Sequence, residues 1–92
     1  MSDVKRRQLE IVNVKGLHAR AAAKLVEVAE GFDATAEVSQ NGQTASADSI
    51  MGLLMLAAAK GTTIDVETRG PDADALADAI AALVAGRFGE DM

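Results

Sequence analysis

The sequence predicts an α+β fold: an open-faced sandwich in which one four-stranded antiparallel sheet carries three helices on one face, in the order βαββαβα. Three observations predict it. Segments in which polar and apolar residues alternate, the mark of half-buried strands, are interspersed with segments whose apolar residues recur at helical spacing. Asn41-Gly42 stands between two alternating segments, a hairpin signal because both central positions of a type I′ turn need positive φ. A length of 92 residues suits a single domain spanning 1–92 with a modest core.

Taken in order, Met1 to Arg7 is polar and basic and reads as a frayed terminus. From Gln8 to Val14, Leu9 and Ile11 alternate with Glu10 before Val12 and Val14 shift the phase, as in a strand ending in an irregular turn. Ala19 to Val28 reads as helix, with Ala22, Leu25, Val26 and Ala29 as its buried stripe and Gly31 as its end. Lys24, Glu27 and Glu30 occupy its other faces, where a solvated surface is the ordinary role and partner contact the functional one. Ala34 to Gln40 and Gln43 to Asp48 form the hairpin, with Ala36, Val38, Ala45 and Ala47 inward.

Ser49 opens a second helix that Gly61 closes. Ile50, Leu53, Leu54 and Ala57 form a core stripe, while Met51, Met55 and Ala58 form a second apolar stripe at i, i+4, i+7. That second stripe has two readings, packing all round or an exposed methionine patch that receives partner proteins. Thr62 to Arg69 is a strand with Ile64 and Val66 inward. Gly70-Pro71-Asp72 starts a last helix with Asp72, Asp74 and Asp78 near its positive end and Leu76, Ile80, Leu83 and Val84 buried. Gly86 ends the pattern, and Arg87 to Met92 reads as a short polar tail. Glu10, Thr35, Glu37, Ser39, Asp65 and Glu67 supply a solvated outer face for the sheet.

Composition excludes much chemistry. Without cysteine there is neither a disulfide frame nor a thiolate metal site, and one histidine argues against zinc or iron, so no metal and no cofactor is expected. The longest apolar run, Ile50 to Ala59, is too short to span a bilayer, and the N-terminus shows no signal-peptide core, so no membrane partner and a cytoplasmic location are expected. A net charge of -5 with two phenylalanines and no Tyr or Trp argues against nucleic acid, which asks for basic surface and stacking rings. Partners are expected to be proteins.

The chemistry gathers at Gly16-Leu17-His18-Ala19-Arg20-Ala21-Ala22, where the first strand gives way to the first helix. His18, the one histidine, falls where a helix cap belongs, although Ser, Thr, Asp and Asn are the preferred caps. A helix start leaves backbone N–H groups unpaired at the positive end of the macrodipole and holds phosphate readily. A phosphoryl group taken up by the neutral, nucleophilic ring would meet the N–H groups of Ala19, Arg20 and Ala21, and Arg20 would supply a paired charge. The labile N–P bond then lets the ring pass the group on, which is a relay and not a hydrolase. No second residue of acid–base or metal-binding type lies nearby in sequence, which argues against an independent enzyme.

The run GLHARAAAKLV, followed at matching spacing by Ser49-Ile50-Met51-Gly52-Leu53, resembles the HPr family of phosphocarrier proteins of the bacterial phosphotransferase system, and the likeness extends over nearly the whole chain. The resemblance implies an HPr-like sandwich. It implies that His18 is phosphorylated on Nδ1 by a phosphoenolpyruvate-dependent first enzyme (EI-type), that Arg20 pairs with the phosphate, and that an EIIA-type acceptor receives the group. Ser49 matches a position modified by a dedicated HPr serine kinase in some lineages; the alternative is a plain N-cap. HPr relatives dock through their first two helices, which places Leu17, Lys24, Met51, Leu54 and Met55 at the docking surface, and a monomer is expected. The family usually has proline where this chain has Ala21, and alanine restores a backbone donor there.

Two other classes remain beside the carrier: a binding module for a small ligand or RNA, which would need a pocket or a basic sheet, and an interaction protein that works through Ser49 and the methionine stripe. Within the carrier class, Ala21 and the acidic first helix favour a regulatory (nitrogen or stress) branch over a sugar-uptake branch.

Overall fold

The computed structural model describes residues 4–92. Seven elements follow one another: β1 (Val4–Glu10), α1 (Ala19–Glu30), β2 (Thr35–Gln40), β3 (Gln43–Ser46), α2 (Ile50–Met55), β4 (Thr63–Arg69) and α3 (Ala73–Ala85). A single 3-10 turn, Arg87–Gly89, comes after them. The strands form one sheet in the order β1-β4-β2-β3 with every pairing antiparallel. The predicted α+β architecture, four strands under three helices, is the one observed.

Alternation decides which face is which. Ala36 and Val38 of β2, and Ile64, Val66 and Thr68 of β4, are buried beneath the helices, while Thr35, Glu37 and Asp65 face solvent. Thr68, fully buried, satisfies its hydroxyl by donating to the Ala73 carbonyl at 2.8 Å. The hairpin turn has φ of 51° at Asn41 and 79° at Gly42, the sign its sequence calls for. Leu25 of α1, Leu53 of α2 and Leu76, Ile80 and Val84 of α3 close the core from above.

Several segments differ from the sequence expectation. Val4–Arg7, read as a frayed terminus, is strand, paired residue for residue with β4 from Val4↔Arg69 to Arg7↔Val66, and its polar side chains add charge pairs. Arg6 pairs across the sheet with Glu67, while Lys5 and Arg7, on the helix side, reach Asp74 and Asp78 of α3. The remainder of the expected frayed terminus, residues 1–3, lies outside the described residues. The first strand correspondingly ends at Glu10, short of the expected Val14. On α1, Ala21 joins Ala22 and Leu25 in the core, whereas Val26 and Ala29 are only partly buried against it.

α2 stops at Met55, well before Gly61, because Ala57 turns into left-handed backbone at φ 52°. Ending the helix there frees the Ala58 carbonyl to accept the Leu17 N–H at 2.9 Å and lets Gly61 donate to the Ile11 carbonyl at 2.7 Å. With so short a helix the proposed stripes do not run on: Ile50 and Ala57 are exposed and Ala58 is buried. The largest departure is the expected polar tail. Phe88 is entirely buried among the core side chains, so Arg87–Met92 is folded down onto the domain instead of trailing from it.

Candidate functional site

Gly16 sets the approach to the first helix. Its φ is +65°, and a Cβ built on it would stand 2.4 Å from the Ala58 carbonyl oxygen, so this contact with the loop after α2 can form only without a side chain. Leu17 N–H then closes on that same carbonyl. His18 follows as N-cap in extended backbone, φ -82° and ψ -179°, and its side chain makes no capping hydrogen bond. The first intrahelical bond runs from the Ala22 N–H to the His18 carbonyl at 2.8 Å. The N–H groups of Ala19, Arg20 and Ala21 therefore have no partner within the helix, and the ring stands beside the positive end of α1.

The ring is fixed from one side. Its Nε2 contacts a carboxylate oxygen of Glu90, and the two side chains are only 27% and 16% accessible. Because an ionised carboxylate only accepts, the proton of this bond is assigned to Nε2, and the neutral ring then presents its lone pair at Nδ1. The other Glu90 oxygen accepts from Asn13 Nδ2 at 2.9 Å. The Asn13 bond first, and the His18 bond after it, hold the Glu90 carboxyl below the usual glutamate range.

Cations complete the site. His18, Arg20, Lys15 and Lys24 share an open cleft of about 370 Å³ with Glu90 and Asp91. Arg20 is exposed and makes no ion pair among the described residues. Lys24 is partly committed, donating from Nζ to the Phe88 carbonyl at 2.6 Å. An oxyanion at this helix start would meet the leftover amide donors of Ala19 and Arg20 and an unpaired guanidinium, whereas Ala21, expected as a third donor, is fully buried in the core.

The remaining sequence-predicted residues lie apart from this cleft. Ser49 is the N-cap of α2, its hydroxyl accepting from the Gly52 N–H at 3.0 Å. Met51 and Met55 are 70% and 73% exposed, a pair of large apolar side chains left uncovered on the helix beside α1. Leu54 is partly buried against the core, and Leu17 is buried outright, so Leu17 belongs to the packing under the site and offers no docking surface. Sequence reasoning missed Asn13 and Glu90. The signal for the tail was Phe88, one of only two phenylalanines in the chain, in a segment read as polar.

An antiparallel sheet covered on one face by helices, presenting one histidine at the start of the first of them, defines the class of small open-faced sandwiches with a single histidine at the first helix. Comparison with known proteins narrows the class. Residues 5–86 match the family described as "PTS HPr component phosphorylation site". The chain is 50% identical over 84 residues to a phosphocarrier protein HPr of Cupriavidus necator, covering 91% of this chain and 94% of that one. It is 51% identical over 84 residues to a phosphocarrier protein NPr of Shewanella violacea, covering 91% and 92%. Among solved structures, HPr-C-His from Thermoanaerobacter tengcongensis superimposes with a TM-score of 0.90 at 33% identity, covering 96% of this chain and 99% of that one. The chain belongs to the HPr family of phosphocarrier proteins of the phosphotransferase system.

Proposed function

We propose that this chain is a histidine phosphocarrier in which His18 accepts a phosphoryl group on Nδ1 from an EI-type first enzyme and passes it to an EIIA-type acceptor. The observation that carries the reading is the N-cap itself: a histidine that does no capping, its Nε2 occupied by Glu90, at a helix start whose first amides have no helical partner and whose Arg20 makes no ion pair among the described residues. The chain acts as an intermediate and not as an independent enzyme. It supplies nucleophile, oxyanion donors and, among the described residues, one free cation, while each partner supplies the other half of the transfer site. Ala21 keeps an N–H that proline would lack and gives up a fixed φ, and its full burial sets that donor beneath the cleft and not in it.

We assign the carrier to a regulatory branch, on the support of the acids Glu27 and Glu30, both exposed on the first helix. Surface charge selects partners mainly through encounter and exclusion. The sugar-uptake reading has its own support, since relatives of near-equal identity carry the names HPr and NPr. Docking is assigned to Met51 and Met55 with Leu54 and Lys24 at the margin, and a kinase would find Ser49 at the start of α2, where a phosphate adds charge beside that surface.

The test is intact mass after mixing the protein with phosphoenolpyruvate and an EI-type enzyme, with His18→Ala in parallel. The reading expects one phosphoryl group, lost in acid, stable in base and absent from the variant. A folded native protein left unmodified by several first enzymes would sink it. Competition between nitrogen-branch and sugar-branch EIIA proteins for the phosphorylated form then decides the branch: faster transfer to the sugar-branch acceptor overturns the regulatory assignment.

A further inference from the structure

The group that touches His18 comes from a part of the chain beyond the family match, which ends at residue 86. Its placement is built, not incidental. Arg87, Phe88 and Gly89 all have left-handed backbone, with φ of 58°, 53° and 79°. Non-glycine residues persist there only where their surroundings over-determine them. Here Phe88 is sunk in the core, Lys24 Nζ holds its carbonyl, and Met92 O accepts from Val14 N–H at 3.1 Å. The turn so fixed delivers Glu90 to the ring.

Asn13 is the second observation. It is fully buried and spends Nδ2 on two acceptors, the Gly16 carbonyl and Glu90, each at 2.9 Å. Its Oδ1 has no partner among the described residues. Turning the amide over would set that oxygen against both acceptors, so the orphaned atom is the cost of holding Glu90. Glu90 in turn faces two donors, and only a carboxylate offers an oxygen to each.

We propose that Asn13 and Glu90 are a positioning pair for phosphoryl transfer, holding His18 in the Nε2–H tautomer before the reaction and retaining that proton after it. The proposal rests on His18 being the acceptor. The step balances as follows: the Nδ1 lone pair forms the N–P bond, the bond from phosphorus to the donor breaks with its electrons leaving on the donor, and the Nε2 proton stays in place. The ring becomes a phosphoimidazolium whose positive charge faces Glu90. In that form it is a good leaving group, so onward transfer needs no proton delivered to the ring. Neither Asn13 nor Glu90 touches the phosphoryl group; both act through the ring.

The experiment is ring ¹⁵N NMR on histidine-labelled protein at a pH where the imidazole is neutral, comparing native protein with Glu90→Gln, Asn13→Leu and, as control on the outer sheet face, Glu37→Gln. Asn13, whose Nδ2 is also held by the Gly16 carbonyl, presents a donor and takes the glutamine oxygen, so the glutamine NH₂ faces the ring and the acceptor for Nε2–H is lost. The ratio of Nε2–H to Nδ1–H tautomer is expected to fall about tenfold in Glu90→Gln, the scale of a lost charge-assisted hydrogen bond, and to fall in Asn13→Leu, with Glu37→Gln unchanged. Phosphorylation by the first enzyme should lose kcat by a similar factor with KM unchanged. An unchanged tautomer ratio in folded Glu90→Gln overturns the proposal, even if its melting temperature drops, because the tail would then be packing alone. If native protein shows the Glu90-dependent tautomer but takes no phosphoryl group, the carrier reading fails and the positioning of the ring stands. If His18 is phosphorylated at the native rate in Glu90→Gln, the positioning role in transfer fails and the carrier reading stands.

Discussion

Gly16–Ala22 and Arg87–Met92 meet at His18 from opposite ends of the chain, and different physics holds each of them there. The first segment is organised locally. A glycine turn, an N-cap and a helix start follow one another within seven residues, and the unpaired amides are a property of any helix N-terminus. The second has no such local logic: it runs through left-handed backbone in two non-glycine residues and is kept in place by distant contacts to Asn13, Val14, His18 and Lys24. The ring therefore stands at a helix start set by one segment and is contacted by a carboxylate carried on another.

The sharpest way to break the comparison is Phe88→Ala. If the tail were a solvated appendage, truncating its one large side chain would do nothing; as a fully buried core residue, Phe88 should cost about 3–5 kcal/mol when cut to alanine, read by denaturant unfolding. A loss under about 1 kcal/mol, the size of an ordinary surface substitution, would return the segment to the surface. Gly16→Ala tests the other side. The left-handed backbone alone should cost about 1–3 kcal/mol, and the 2.4 Å approach to the Ala58 oxygen adds a clash that the two loops must separate to relieve. Since Leu17 N–H shares that oxygen, this variant should also move His18, lowering the phosphorylation rate along with the melting temperature.

Ser49→Ala separates local helix chemistry from both. The hydroxyl caps Gly52 N–H, so its loss should cost about 1 kcal/mol by thermal unfolding, while phosphorylation at His18 continues. A change in the rate at His18 without a change in stability would instead mean that Ser49 communicates with the site.

What could be read from the chain follows the same division. The sheet, its hairpin and the three helices announce themselves through periodicity and turn chemistry, and His18 through its odd place at a cap, because each of these signals spans only a few residues. The tail could not be read this way. Phe88 lies between Gly86 and Gly89, where no periodicity identifies a buried face, and its partners are sixty or more residues away: Lys24 at its carbonyl, Asn13 and His18 at Glu90. The start of β1 is illegible for a related reason, since Val4–Arg7 is placed by its ladder to β4 and by charge pairs to Glu67, Asp74 and Asp78 that only tertiary structure creates. The early end of α2 follows from the needs of Gly16, Leu17 and Ile11, none of which belongs to that helix.

The smallest expected effect concerns acid, and it distinguishes the two segments without altering either backbone. Glu90 has its folded carboxyl held below the usual glutamate range, chiefly by the Asn13 hydrogen bond and then by that of His18. A carboxylate whose folded pKa is depressed contributes stability above its unfolded pKa and loses that contribution as pH falls through the folded one. Native protein should therefore exceed Glu90→Gln in stability near neutral pH, with the gap narrowing below the ordinary glutamate range until it closes in stronger acid. Glu67, held low by Arg6 and then Arg69 on the exposed outer face, should show the same sign but fade in high salt, since surface pairs are screened. The Glu90 gap should persist in salt because its first partner is a neutral, buried amide. Unfolding scans of native protein, Glu90→Gln and Glu67→Gln across acid pH, at low and high salt, give the answer. A Glu90 gap that vanishes with salt as the Glu67 gap does would mean that the tail is held to the site by charge alone, and that Asn13 contributes nothing to keeping it there.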